Sequence, residues 1–257
     1  ENVAEDKLGI LEPLRANLVL VNAGASYMTG LIGDVSIPVY SGSNVGWAGE
    51  VSTASDGAGT FSEVTLSPKR LTAYIDVSKQ FLIQDSNSAE EMLKRDIVAA
   101  ISNKLEATIL GSEAGSNTQP AGLFNGVVAD STAVTYKDVV AMEKNLEDAN
   151  VRGDIRFIVS PSAKADLKTT EKGNTDNFLM EGNELNGYPV MCTSAVTGKG
   201  VIMANWSDLV IGQWGGIDLV VDPYTQAANG KVRLVINAYF DAKPRRAEAF
   251  VKKILKA

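Results

Sequence analysis

The sequence predicts an α+β fold on three observations: one long amphipathic helical stretch, many short segments that alternate apolar and polar residues, and no internal repeat or regular strand–helix–strand series to order them. The helical stretch opens at Ser88-Ala-Glu-Glu91, a capping-box pattern in which the serine hydroxyl and the Glu91 carboxylate would each satisfy a free backbone N–H. Behind it Leu93, Ile97, Ile101, Leu105 and Ile109 recur every fourth residue, with Met92, Val98 and Thr108 beside them. Glu90, Lys94, Arg95, Asn103, Lys104 and Glu106 fall mostly on the other side, and Gly111 stands where a left-handed C-terminal cap is expected. A helix over 89–110 follows, and its stripe by itself says only core packing.

Before that helix the chain reads differently. Residues 7–21 mix apolar and polar types and are broken by Pro13, which predicts a short helical turn at most and then an extended arm. Val35-Ser-Ile-Pro-Val-Tyr40 alternates like a strand, and Pro38 confines it to a sheet edge or a paired ribbon. Residues 41–60 are rich in Gly, Ser and Ala, with Trp47 alone among them. Alternation returns in Phe61-Ser-Glu-Val-Thr-Leu66 and in Leu71-Thr-Ala-Tyr-Ile-Asp-Val77. This is the pattern of a protruding β-hairpin with a long tip, and a loop of that length is usually functional or disordered.

After the long helix, residues 111–126 read as a loop that turns at Gln119-Pro-Ala-Gly-Leu123 into a new unit. A shorter helix is expected over 137–149, with Val139, Met142 and Leu146 on one face. Arg156-Phe-Ile-Val159 reads as a buried strand running into Ser160-Pro161, an N-cap with proline at the first helical position, and then a helix to about residue 170. Residues 171–184 are polar and read as an exposed loop; strands are expected at 188–192, 201–204, 209–213, 217–221 and 232–240.

Composition excludes more than it selects. The 257 residues are 45% hydrophobic and 21% charged, ordinary for a globular chain able to bury a sizeable core. A net charge of −7 argues against a dedicated nucleic-acid binder, which would carry a basic face. There is no histidine and a single cysteine, Cys192, so the chain alone holds no His/Cys zinc site, intrachain disulfide, Ser-His-Asp triad or Cys-His pair. Cys192 follows Pro189-Val-Met191, where a buried structural thiol is expected. Leu18-Val-Leu-Val21 is far shorter than the roughly 20 residues of a membrane span. The acidic opening Glu1-Asn-Val-Ala-Glu-Asp6 is unlike a signal peptide, and the absent initiator Met predicts processing or truncation ahead of Glu1.

The motifs that could carry chemistry fall short. Gly57-Ala-Gly59 lacks the third glycine of a dinucleotide fingerprint and leads into a strand. Gly198-Lys-Gly200 lacks the rest of a phosphate loop and reads as a turn, and Ser160-Pro-Ser-Ala-Lys164 has the wrong spacing for a serine–lysine site. Asn205-Trp-Ser207 is a formal glycosylation acceptor with no secretory signal beside it. No pair among the 31 carboxylates stands out. Trp47 is the exception: an indole in a glycine-rich protrusion has little core to join and calls for a partner surface.

Several strings, taken in order, resemble the major capsid proteins of tailed bacteriophages. They are Trp47-Ala-Gly-Glu50; Phe61 through Leu66 with Ser67-Pro-Lys69-Arg70-Leu71; Val77-Ser-Lys-Gln-Phe-Leu-Ile-Gln-Asp-Ser86; the helix ending in Leu110-Gly111; and Gln119-Pro-Ala-Gly-Leu-Phe124. The series continues through Leu185-Asn-Gly-Tyr-Pro-Val190, Trp206-Ser-Asp-Leu-Val-Ile-Gly-Gln-Trp-Gly-Gly216, residues 233–240 and Ala247-Glu-Ala-Phe250.

The resemblance implies the Hong Kong 97-type capsid fold, with an N-terminal arm at 1–32, an extended loop at 33–72, a peripheral domain at 73–122 and 223–257, and an axial domain at 123–222. It implies a non-enzymatic subunit without cofactor or metal. Such a subunit would assemble with itself as pentamers and hexamers into an icosahedral head around double-stranded DNA, without sequence-specific binding and without a membrane. Scaffold, portal and cementing proteins are the further partners it implies; assembly would take place in the bacterial host cytoplasm, and the virion head is the final location. Candidate subunit-contact residues are Trp47, Glu50 and Phe61 on the loop, Lys69 and Arg70 at its base, and Gly173 and Asn174 in the polar segment taken as the axial tip. Some members of the family join a loop lysine to a neighbour's asparagine; no lysine lies between Lys7 and Lys69, so no crosslink is expected by that route. An encapsulin-like nanocompartment shell is the alternative within the fold, and a carboxylate-dependent hydrolase the alternative from another class.

Overall fold

The computed structural model describes residues 18–256, apart from positions 44, 48–49, 51–52, 54–55, 81–85 and 174 and the side chains of 86–91 and 94. The described elements run α1 Val19–Asn22, β1 Ser26–Leu31, β2 Val35–Tyr40, β3 Phe61–Leu66, β4 Lys69–Ser78, α2 Ser86–Ile109, α3 Tyr136–Asp148, β5 Ile155–Val159 and α4 Pro161–Thr169. They continue with β6 Met180–Glu181, β7 Glu184–Leu185, β8 Tyr188–Cys192, β9 Gly200–Asn205, β10 Leu209–Asp222, β11 Lys231–Pro244 and β12 Phe250–Ile254. The strands form a four-stranded sheet in the order β1-β10-β11-β4, a six-stranded sheet in the order β12-β9-β5-β8-β7-β6, and a separate β2-β3 ribbon.

The long helix packs its predicted stripe inward. Ile97, Val98, Ile101, Leu105 and Ile109 are buried in the same cluster as Ile236, Ala238 and Phe240 of β11. That cluster continues into the six-stranded sheet through Phe157, Ile158, Ile202 and Met203, so one core serves both sheets. Trp206, fully buried, stacks edge-on with Phe250 at 5.7 Å and donates its indole N–H to the Arg156 carbonyl at 3.1 Å. Each such buried aromatic supplies a large apolar area and fixes one orientation by its polar end.

Local chemistry explains the helix ends. Ser160 Oγ accepts from the Ala163 N–H at 3.1 Å and Pro161 occupies the first turn, as expected from the sequence. Asp138 closes α3 in the same spirit, accepting from the Thr135 N–H and hydroxyl. Helix α2 begins at Ser86, two residues ahead of the expected cap, and the Ser88–Glu91 side chains lie outside the described residues. Gly111 does not adopt the left-handed conformation expected of it. Its glycine is required for a different reason: a Cβ there would sit 2.6 Å from the Ala107 carbonyl oxygen.

Other expectations are corrected by tertiary pairing. Residues 26–31 form a parallel strand against β10, which their weak alternation did not signal. Segments 209–213 and 217–221 are one strand, β10, bent between Trp214 and Asp218 where Gly215 takes φ +64°. Part of the 171–184 loop is a small hairpin, β6–β7, that buries Leu179 and Met180. The chain closes with β12 along β9. Cys192 is exposed at the end of β8, while Val190 takes the inward position of that strand.

The base of the ribbon is a buried polar joint. Asp241, fully buried in β11, accepts from the Ser67 N–H at 3.0 Å and the Ala242 N–H at 3.0 Å, and pairs with Lys69 at 2.7 Å. Lys243 donates to the Thr65 carbonyl at 2.6 Å, and Trp214 donates its indole N–H to Gly33 at 2.6 Å. Leu66, Val210 and Trp214 form a small second core here, with Met28, Leu31, Val35 and Ile37 against it.

A second buried acid holds the other end of the described chain. Glu106 of α2 accepts from the Leu20 N–H at 3.2 Å, tying α1 to the long helix. Burial pushes its carboxyl above the ordinary glutamate range, and hydrogen bonds from the Leu20 and Val19 N–H groups offset only part of that.

Two outcomes are expected in urea unfolding of the unassembled subunit. Asp241→Asn strands the buried Lys69 ammonium and costs about 3–5 kcal/mol, and adding Lys69→Met recovers most of the loss. A loss below about 1 kcal/mol would contradict the joint. Because the folded chain holds the Glu106 proton more tightly than the unfolded chain, ionised Glu106 opposes folding, and that opposition fades as pH falls through its raised pKa. The wild type therefore gains stability relative to Glu106→Gln as pH falls from neutral into the ordinary glutamate range. A constant difference across that range would exclude the linkage.

Candidate functional site

The ribbon is built to reach outward. Its register pairs Val35 with Leu66 and Tyr40 with Phe61, and Pro38, which lacks an N–H, is accommodated opposite Glu63. At the neck the Tyr40 and Phe61 rings meet at 4.6 Å, and the Gly59 N–H donates to the Tyr40 hydroxyl at 3.0 Å. Gly59 is obligatory there, because a Cβ would lie 2.1 Å from the Gly42 carbonyl oxygen. Gly57-Ala-Gly59 is thus a packing motif of the neck.

Of the residues singled out in the sequence, Trp47, Glu50 and Phe61 lie on the ribbon and all are exposed. Trp47 touches nothing that shields it (106% exposed), Val45 is equally bare and Phe61 is 78% exposed. Lys69 departs from its expected role: at 8% exposure its charge is taken up inside the chain by Asp241. Arg70, next to it, is exposed opposite Tyr239. Gly173 lies on a different unit, in a turn at φ +73° inside the Glu171–Phe178 bridge, beside Lys172 stacked 4.0 Å over the Tyr136 ring. Asn174 lies outside the described residues.

A feature the sequence did not signal lies along β4, the free edge of the four-stranded sheet. Where α2 crosses it, Leu71, Ala73, Ile75, Ile97, Ala100 and Lys104 line a cavity of about 340 Å³. The helix stripe at Ile97 was expected to pack in the core; here, with the small side chains of Ala73 and Ala100 beside it, it lines this open edge. A second cleft of about 220 Å³ continues from it, sharing Leu71, Thr72 and Lys104 and adding Arg70, Thr108 and Gln119. Arg70 and Lys104 form no ion pair among the described residues.

The polar clusters elsewhere have structural uses. Lys253 bridges Asp130 at 3.1 Å and Asp138 at 2.7 Å, holding β12 against α3. Burial alone would raise the Asp138 carboxyl, but hydrogen bonds from Lys253 and Thr135 outweigh it and hold it at about 2. A general acid near neutral pH needs the opposite shift. Glu143 accepts from Asn186 at 2.6 Å and from the Tyr188 hydroxyl at 3.0 Å, bracing the β7–β8 turn. Asn205, the formal glycosylation site, accepts from the Ser207 N–H and donates to the Arg152 carbonyl at 2.7 Å. Among the described residues no group of His, Cys, Asp and Glu is arranged to hold a metal, and no helix is long and apolar enough to cross a membrane.

The fold has counterparts. The chain is 30% identical over 250 residues to the major capsid protein of Halomonas phage phiHAP-1, matching 93% of this chain and 41% of that protein. It is 22% identical over 234 residues to the major capsid protein of Klebsiella oxytoca phage phiKO2, matching 81% of this chain and 54% of that one. The chain therefore spans about four tenths to one half of the length of these relatives. Among solved structures, a chain from the capsid of a native GTA particle superposes with a TM-score of 0.72 at 16% identity, covering 92% of this chain and 89% of that one. The α+β architecture is thus the Hong Kong 97-type capsid fold. The profile of the phage capsid family matches residues 7–253, nearly the whole sequence, and the chain belongs to that family.

Proposed function

We propose that the chain is the shell-building subunit of a phage head, a major capsid protein that assembles with itself and performs no catalysis. The observation that carries the reading is the ribbon: a firmly rooted arm whose tip bears Val45 and Trp47 bare to solvent, a costly exposure unless a neighbour covers it. Family membership supports the same role, and the names of the curated relatives favour a phage head over a nanocompartment.

On this reading residues 33–72 are the extended loop lying over a neighbour, anchored by the Asp241 joint. Residues 73–122 and 223–257, with α2 and most of the four-stranded sheet, are the peripheral domain; residues 123–222, with most of the six-stranded sheet, are the axial domain. Residues 1–32 are the arm, whose described base is pinned by Glu106. Trp47, Glu50, Phe61 and Arg70 serve contacts along the loop, and Gly173 and Asn174 contacts at the axial tip. Pentamers and hexamers of this subunit would enclose double-stranded DNA by shape and local charge, with scaffold, portal and cementing proteins as partners. Assembly would proceed in the host cytoplasm and end in the virion.

Size exclusion of the purified chain followed by negative-stain electron microscopy tests this. Closed polyhedral shells, or pentamer and hexamer rings, are expected. A strictly monomeric chain at high concentration, with and without a scaffold protein, would exclude a shell-building role.

A further inference from the structure

We infer that Lys252 of β12 is a nucleophilic lysine, a modification site at which this chain takes an acyl group from a small acyl phosphate. The inference goes beyond the shell-subunit reading and does not rest on it. Strand β12 puts two adjacent lysines into opposite surroundings, because successive side chains of a strand point to opposite faces of the sheet. Lys253 points toward α3, where Asp130 and Asp138 take up its charge at 3.1 and 2.7 Å. Lys252 points the other way. Its cross-strand neighbour on β9 is Ile202, and beyond that lies Ile158 of β5, both fully buried. Along β12 it stands between Phe250, which packs on Trp206, and Ile254. Gly200, paired with Ile254, lies close against Phe124 and Val196.

Half-buried on this apolar face, the Lys252 ammonium has no ion pair or hydrogen bond among the described residues. The charged groups around the strand are engaged elsewhere: Asp130 and Asp138 by Lys253, Asp154 by Arg156, and Asp166 by Lys199. Strand β9 carries no charged side chain, and Glu248 is exposed ahead of β12. An ammonium on apolar surface without an anion gives up its proton more readily than one in water, since burial penalises only the charged form. Burial accordingly pulls Lys252 below the ordinary lysine range. It pulls Lys253 the same way, but hydrogen bonds and attraction from Asp138 and Asp130 outweigh it and hold that group above the range. The neutral amine is the form that attacks. Its lone pair forms an amide bond to the acyl carbon, the bond from that carbon to the phosphate oxygen breaks, and phosphate leaves with the electron pair. The amine's proton passes to water. The amide is uncharged, so the transfer also relieves the cost of holding a charge on this face.

Brief exposure of the unassembled full chain to acetyl phosphate, followed by tandem mass spectrometry that locates each acetyl group, tests this. Because the readout is taken on single subunits, it is independent of whether the chain builds shells. At neutral pH Lys252 is expected to be acetylated at least about fivefold faster than Lys253. Across the range from neutral to about pH 10, its rate should level off at a lower pH than that of Lys168, an exposed lysine at the end of α4. In concentrated urea the Lys252 and Lys168 profiles should coincide, which ties the difference to the folded surroundings. A folded-state profile that matches Lys168, or a neutral-pH rate no higher than that of Lys253, overturns the proposal. So does a difference between Lys252 and Lys168 that persists in urea, since the fold would not then be its source.

Discussion

The structure depends on one buried carboxylate. Asp241 has no contact with water and meets three donors at the point where the ribbon leaves the sheet. A lone buried charge would be prohibitive, and an ammonium with two backbone N–H groups is close to the full complement a carboxylate can use. The pairing has a geometric consequence that an apolar substitute would lack. Hydrophobic packing tolerates sliding, whereas a Lys69–Asp241 pair with the Ser67 N–H on the other oxygen admits one direction for the chain turning from β3 into β4. With Leu66 and Trp214 packed beside it and Lys243 on the Thr65 carbonyl, the ribbon leaves its subunit at a set angle.

A fixed root changes the energetics of everything beyond it. An unattached glycine-rich loop would surrender about 1–2 kcal/mol per residue of backbone freedom on docking. Here the paired strands Val35–Tyr40 and Phe61–Leu66 have already lost that freedom within the subunit. The neck adds to this: Gly59 packed on Gly42, and Tyr40 against Phe61, carry the order outward from the last strand pair. Glu106 does for the opposite end of the described chain what Asp241 does for the ribbon, holding the α1 backbone to α2 through its N–H groups. In both places a polar side chain of the main body captures backbone of an appendage, which leaves the appendage's own side chains available for other contacts.

Elements whose signal is local were legible in the sequence. The Ile97–Ile109 stripe, the Ser160-Pro161 cap and the alternation on either side of the glycine-rich tip each produced the element they predicted. Features that depend on distant pairing were not. Strand β1 is a strand because β10 lies beside it, and β12 because β9 does. Lys69 illustrates the limit most clearly. Its position at the ribbon base was readable, but a lysine looks the same in sequence whether it faces a neighbour or a buried aspartate far along the chain. The groove was hidden for the converse reason. Leu71, Ile75, Ile97 and Ile101 have core spacing, and only their placement at a free sheet edge, with Ala73 and Ala100 between them, leaves that core unfilled.

Copies of a chain with net charge −7 repel one another at long range, so on the shell-subunit reading net electrostatic attraction cannot be what would bring them together. At physiological salt the repulsion is screened beyond about 8 Å, and contact-range chemistry then decides the outcome. Some of the cations of this chain are committed within it: Lys69 to Asp241, Arg156 to Asp154, Lys199 to Asp166, Arg233 to Asp76, and Lys253 to Asp130 and Asp138. Exposed pairs are individually weak, about 0–1 kcal/mol, so no single one can hold two subunits. In a closed arrangement each subunit repeats the same contact with its neighbours, and weak contacts that are individually reversible become collectively stable. A buried pair such as Lys69–Asp241 holds the shape of the subunit, while weak surface pairs with other copies of a closed shell would still form and break.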